Sequence, residues 1–291
     1  MANRNDGVLK QMLAYQRNEI TEYLLYKKLA RVEKSDANRG ILEQIAQDEM
    51  RHYEIWRKHT GTDVALNRLK LWIYYCLSRA LGLTFGIKLM EREEDAAQKN
   101  YERLVGIVDG VEAIAKEESD HEAQLLRILD EERLHYMGSM VLGLNDALVE
   151  LTGALAGLTL ALRNVRLISL SGLIIGVAAA MSMAASEYLS TKAEKGGRNP
   201  LKSAAYTGFA YIITVITLVA PYLFLANPFF CLSFTLIAAM SIIAAFNYYV
   251  SVATDRPFAR HFLEMAGVSL GVAILSFGMG YVVRTFLGVD I

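Results

Sequence analysis

Five apolar segments crowd the second half of the chain: Tyr136–Leu162, Leu167–Leu189, Ala204–Ala226, Phe229–Ala253 and Phe262–Val283. Each supplies the ~20 residues a helix needs to cross the hydrocarbon core of a bilayer. A helix satisfies its own backbone polar groups there, and the runs lack the in–out alternation of barrel strands. The pattern therefore predicts an all-α chain whose residues 136–291 form a five-helix transmembrane domain. Residues 1–135 have another character, rich in Glu, Lys, Arg and Tyr, and form a separate domain. The chain carries a net charge of −1, which argues against a nucleic-acid partner. Cys76 and Cys231 fall in different halves, and no disulfide is expected between them.

Orientation follows from Lys and Arg in the short loops. The loop after the second span carries Lys192, Lys195, Arg198 and Lys202, and the loop before the fifth carries Arg256 and Arg260. The opposite side has Arg163 and Arg166. The bias favours a cytosolic N-terminal domain and an external C-terminus at the cell (inner) membrane. The N-terminal "MANRNDGVLKQMLAYQ" has no apolar signal core, in keeping with a cytosolic location.

Ionisable groups inside spans are costly and mark functional positions. The first span has Asp146 and Glu150 in "GLNDALVELTGALAG", one helical turn apart on one face. The second has Met183 and Glu187 at the same spacing in "MSMAASEYLS". Carboxylates with a thioether form a donor set for a divalent transition metal. Met183 also suits plain packing, and Glu187 suits an interfacial position near Lys192. Gly138, Gly143, Gly153 and Gly157 punctuate the first span, and small residues allow close helix contact, so this span is expected at the centre.

Residues 5–135 read as four helices containing a duplicated pattern. Glu19 precedes Tyr26 by seven residues, and Glu94 precedes Tyr101 by seven. Each of these helices is followed by one bearing Glu-x-x-His: Glu49 with His52, then Glu118 with His121. Glutamates from two helices and Glu-x-x-His pairs from two others make the ligand set of a di-iron carboxylate bundle. Four carboxylates and two imidazoles nearly neutralise two divalent ions, and this mixed O/N set suits iron or manganese. Glu91, three residues before Glu94, is a further candidate ligand; Glu22 is either a ligand or solvated. His59 and His135 lack partners at ligand spacing and read as surface residues. Ser35 and Asp36 are expected caps of the second helix. The apolar run 71–90 is interrupted by Arg79. It reads as a helical connection covering the bundle core, a dimer face or the membrane surface. No proline or clear linker separates His121 from Tyr136, so the last bundle helix is expected to run on towards the first span.

In "EITEYLLYKKLA", "DEMRHY", "EREEDAAQKNY" and "EESDH" the first half resembles the rubrerythrin branch of the ferritin-like superfamily. In "GLNDALVELTGALAG" and "AAAMSMAASEYLSTKAE", with Pro221 in the third span, the second half is similar to the vacuolar iron transporter family. The combination resembles membrane-bound ferritin-like proteins of prokaryotes that export iron. That resemblance implies a homodimer, proton-coupled antiport of ferrous iron, and a transport site using Asp146 and Met183. Two departures stand out. Some transporter-family members carry a metal-binding insertion between spans two and three, where this chain has a short loop with Glu194. Their second-span Glu is matched here by Ile175. Nor is there a Cys-x-x-Cys pair for a rubredoxin iron, which weakens a peroxidase reading. Three functions follow as expectations: an iron exporter whose bundle binds, oxidises or senses the metal; a membrane-tethered di-iron oxidase or peroxidase; and a sensor or store.

Overall fold

Helix boundaries follow the polar residues set between the apolar runs. The computed structural model describes residues 2–90, 92, 110–128, 136–194, 197–254 and 256–287, excepting the side chains of 2–6, 119, 122, 123 and 126–128. Among the described residues every regular element is a helix: α1 (Ala2–Ala30), α2 (Asp36–Thr60), α3 (Arg68–Leu81), α4 (83–90), α5 (Val111–Ile128), α6 (Met137–Leu162), α7 (Val165–Ala193), α8 (Pro200–Phe224), α9 (Pro228–Thr254) and α10 (Phe258–Leu287). Ser35 caps α2 by accepting from the Asn38 N–H, and Asn67, Asn164 and Asn199 cap α3, α7 and α8 in the same way. Such a side-chain oxygen satisfies a first-turn donor that has no partner within the helix. Gly61 ends α2 in the left-handed conformation, at φ 68°, where a Cβ would be strained. The chain divides into two compact units, Met1–Glu131 and Glu132–Ile291.

In the first unit α1 packs along α2, α3 packs on α1, and α5 packs on α2. One apolar cluster includes Leu25, Leu29, Leu42, Ile45, Ile87 and Met90. A second joins Met12, Tyr15, Trp56, Val111 and Ile114. Along α1 and α2 the stretch between these clusters carries Glu19, Glu49 and His52. The expected bundle helix through Glu91, Glu94 and Tyr101 falls almost wholly outside the described residues. So do His135 and residues 129–135, on which a continuous helix into the first span depends. The run 71–90 breaks at Gly82 into α3 and α4. Leu71, Tyr74 and Ser78 face inward from α3, while Leu69, Trp72 and Ile73 are exposed.

In the second unit α6 to α10, of 25 to 30 residues apiece, are each long and apolar enough to cross a bilayer. α6 touches each of the other four, the central place its glycines predict. A Cβ on Gly280 of α10 would collide with the Gly157 carbonyl of α6, and one on Gly143 would collide with the Thr207 carbonyl of α8. Backbone therefore meets backbone at both contacts, which only glycine permits. The core of this unit includes Leu148, Leu151, Leu155, Tyr211, Val215 and Leu218. Large apolar side chains such as Ile174, Met181, Ile274 and Leu275 point outward, as suits helices solvated by lipid.

Candidate metal sites

Three helices of the first unit aim ionisable side chains at one buried point. α1 supplies Glu19, α2 supplies Glu49 and His52, and α5 supplies Glu118 and His121. The i, i+3 spacing within α2 and α5 puts each Glu and its His on one face. Glu19, Glu49, His52 and His121 are all buried, none more than 4% exposed. One ligand atom from each of Glu19, Glu49, His52 and Glu118 lies within 4.8 Å of the others. His52 Nδ1 is 3.7 Å from Glu19, 3.6 Å from Glu49 Oε2 and 3.1 Å from Glu118 Oε1. His121 Nδ1 is 3.3 Å from Glu49 Oε1 and 3.7 Å from Glu118 Oε2. Glu49 and Glu118 thus each turn one oxygen to either imidazole. The two rings are 5.8 Å apart by their centroids.

Burying carboxylates is costly unless something compensates them. Here Glu19 Oε2, Glu49 Oε2, His52 Nδ1 and His121 Nδ1 are buried without a hydrogen-bond partner of good geometry. Four orphaned donor atoms converging on one point fit a cation that takes their lone pairs. The outer atoms, by contrast, are held. Glu19 Oε1 accepts from Trp56 Nε1 at 3.0 Å. His52 Nε2 is 2.8 Å from Glu117, and His121 Nε2 is 3.1 Å from Asp48. Arg51 binds both of those outer carboxylates, each at 2.7 Å. A carboxylate at Nε2 fixes the proton there and leaves Nδ1 to face the cluster, the usual arrangement behind a metal-bound histidine.

Burial and the neighbouring charges shift the protonation of these groups in opposite directions. Burial resists the charged form of His52, yet Glu118, Glu19 and Glu49 outweigh it and hold its pKa far above the ordinary histidine value. His121 rises to about 10 against the same burial, through Glu118 and Glu49. Burial also opposes ionisation of Glu49, but His121 and His52 hold it at about 2. Glu19 goes the other way, well above the carboxylate range, because burial and the nearby Glu49 and Glu118 outweigh His52. Glu22 is buried, not solvated: Lys70 of α3 lies 3.3 Å away. Burial pushes Glu22 up to about 7, with Lys70 pulling back. His59 is exposed, as its spacing predicts. Glu91 and Glu94, the other expected ligands, lie outside the described residues.

In the second unit Glu150 accepts a hydrogen bond from the Tyr211 hydroxyl of α8 at 2.8 Å. Asp146, one turn earlier, is half-buried, and Glu150 is exposed. Met183 is partly buried against the core of the spans. Glu187 is buried and accepts from Ser139 at 2.6 Å and Thr191 at 3.3 Å. Ser139 lies near the start of α6, two turns before Asp146, so Glu187 is engaged at that end of the helix. Among the described residues Asp146, Glu150 and Glu187 form no group at mutual ligand distance. Tyr211 and Ser139, the partners of these carboxylates, carry no motif that marks them in the sequence. Asp48 and Glu117 do leave a trace: each stands immediately before a candidate ligand glutamate, in Asp48-Glu49 and Glu117-Glu118.

Five candidate spans with carboxylates among them define a multi-pass membrane protein. The sequence profile of the VIT family matches residues 137–197, which take in α6, α7 and the loop that follows. That likeness, on the helices carrying Asp146, Glu150, Met183 and Glu187, points to membrane transport of a metal ion. A search of curated proteins returns no match.

Proposed function

We propose that the protein exports ferrous iron from the cytosol, with manganese as a second candidate cargo, in exchange for protons. One observation carries this reading: the VIT-family likeness falls on the two spans that hold the intramembrane donors. Asp146, Glu150 and Met183 would receive the ion in transit, with Glu187 serving nearer the end of α6 that holds Ser139. Protons moving inward would release the metal, since carboxylates let go of cations when protonated. By the loop charges, residues 1–135 are cytosolic and residues 136–291 span the inner membrane.

Residues 1–135 act in this reading as a ferritin-like di-iron domain. Glu19, Glu49, His52, Glu118 and His121 would hold the metal, with Glu91 and Glu94 completing the set. Their buried, unpartnered lone pairs support it. A di-iron centre would supply redox chemistry towards ferrous iron. The chain's own residues bind and orient: Glu49 and Glu118 reach both histidines, Asp48 and Glu117 fix the rings, and Trp56 steadies Glu19.

The working assembly is a homodimer. Glu150 is exposed on a single chain, and a carboxylate midway along a span is costly against lipid. A second copy packed on this face of α6 would remove that cost and place two sets of donors together.

Purified full-length protein in liposomes, with ferrous iron on one side and a pH dye within, tests the reading. Export predicts protein-dependent iron flux accompanied by opposite proton movement. Absence of flux from a folded protein that oxidises iron would favour the membrane-anchored oxidase instead.

A further inference from the structure

A cavity of about 320 Å³ opens between α6, α9 and α10. It lies at the end of the spans where α6 and α10 begin and α9 finishes. The apolar walls are Val141 of α6, Phe246 and Val250 of α9, and Met265 and Val268 of α10. The polar groups are Asn145, Asn247, Arg256, His261 and Glu264. Glu264 is tied to Arg260 at 2.9 Å and stands 3.6 Å from His261 Nδ1. Its charge is therefore matched within its own helix. Arg256 is exposed and makes no ion pair among the described residues. By the alternation of the spans, Lys192, Arg198 and Lys202 lie at this same end of the unit.

An apolar crevice between spans, with an arginine and a histidine at its mouth, suits a molecule with a hydrocarbon tail and an anionic head. We infer that this cavity binds an anionic phospholipid, its acyl chain against Phe246, Val250, Met265 and Val268 and its phosphate at Arg256 and His261. The charge at the mouth argues for the anionic lipid. Basic pockets between transmembrane helices near the bilayer surface bind anionic lipid headgroups. A divalent cation is disfavoured as the occupant, because Arg256 would repel it and Arg260 already engages Glu264, the carboxylate lining the cavity among the described residues. The site shares no side chain with Asp146, Glu150, Met183 or Glu187, so the inference stands or falls independently of transport.

The test is lipid retention by delipidated full-length protein in detergent, followed by native mass spectrometry and thermal melting. Phosphatidylglycerol, phosphatidylcholine, glycerol phosphate, inorganic phosphate and Mn²⁺ are the probes. Phosphatidylglycerol should be retained about tenfold better than phosphatidylcholine and should raise the melting temperature. The R256Q/H261Q double variant should reduce that preference to about twofold or less. Equal retention of the two lipids by the wild type would overturn the inference without recourse to any variant. So would an unchanged preference in the double variant. Stabilisation by inorganic or glycerol phosphate equal to that by the lipid would replace it with a free-anion site. Stabilisation by Mn²⁺ that is lost in H261Q would replace it with a cation site.

Discussion

Asp48 of α2 and His121 of α5 meet across the first unit, carboxylate to imidazole Nε2 at 3.1 Å. The relationship is reciprocal, for Glu117 of α5 meets His52 of α2 at 2.8 Å. Each helix thus presents a candidate ligand histidine and, one residue before its candidate ligand glutamate, the carboxylate that orients the other helix's histidine. Arg51 ties the two carboxylates together.

Removing either orienting carboxylate should weaken metal binding without abolishing it. Asp48→Ala or Glu117→Ala is expected to lower affinity roughly 10- to 100-fold, since such partners fix ring orientation and tautomer. Glu49→Ala combined with Glu118→Ala should eliminate binding. Competition titration against a chelator measures both. Wild-type affinity in Asp48→Ala would show that His121 needs no orientation from α2.

Metal binding should release protons, and more tightly bound metal is expected as pH rises. In the metal-free cluster His121 titrates at about 10 and His52 higher still, so both are protonated at pH 7. Each must lose its Nδ1 proton to become a ligand. Calorimetry in buffers of different ionisation enthalpy should register this release at neutral pH. Affinity that is flat between pH 6 and 8 would contradict these protonation states.

The contact of α6 with α10 should not tolerate a side chain. Gly280→Leu drives a side chain into the Gly157 backbone. Overpacking of this kind costs about 1–3 kcal/mol or more. Thermal melting in detergent should show a clear fall for Gly280→Leu and little change for Gly267→Leu, where a Cβ meets nothing within 4 Å. Equal melting temperatures would mean that the two helices separate freely at that point.

The sequence discloses those parts of the structure that rest on periodicity. Runs of ~20 apolar residues leave a helix little alternative, so the five spans can be read directly, and glycine spacing marks α6 as the central one. The cluster of Glu19, Glu49, His52, Glu118 and His121 can be read because i, i+3 spacing fixes a shared helix face. What cannot be read are contacts between elements remote in sequence. Tyr211 reaches Glu150 across 61 residues, and Ser139 reaches Glu187 across 48. Nothing local to any of these side chains records its partner. Glu22 illustrates the same limit, since its burial depends on Lys70 arriving from α3.

In the proposed function iron crosses the membrane through the donors on α6, while the first unit holds its own metal independently. Iron flux into proteoliposomes by Asp146→Ala, measured beside metal binding by the same full-length variant, tests it most directly. Flux should disappear, while metal binding at Glu19, Glu49, His52, Glu118 and His121 should stay at the wild-type level. Wild-type flux in Asp146→Ala would contradict it.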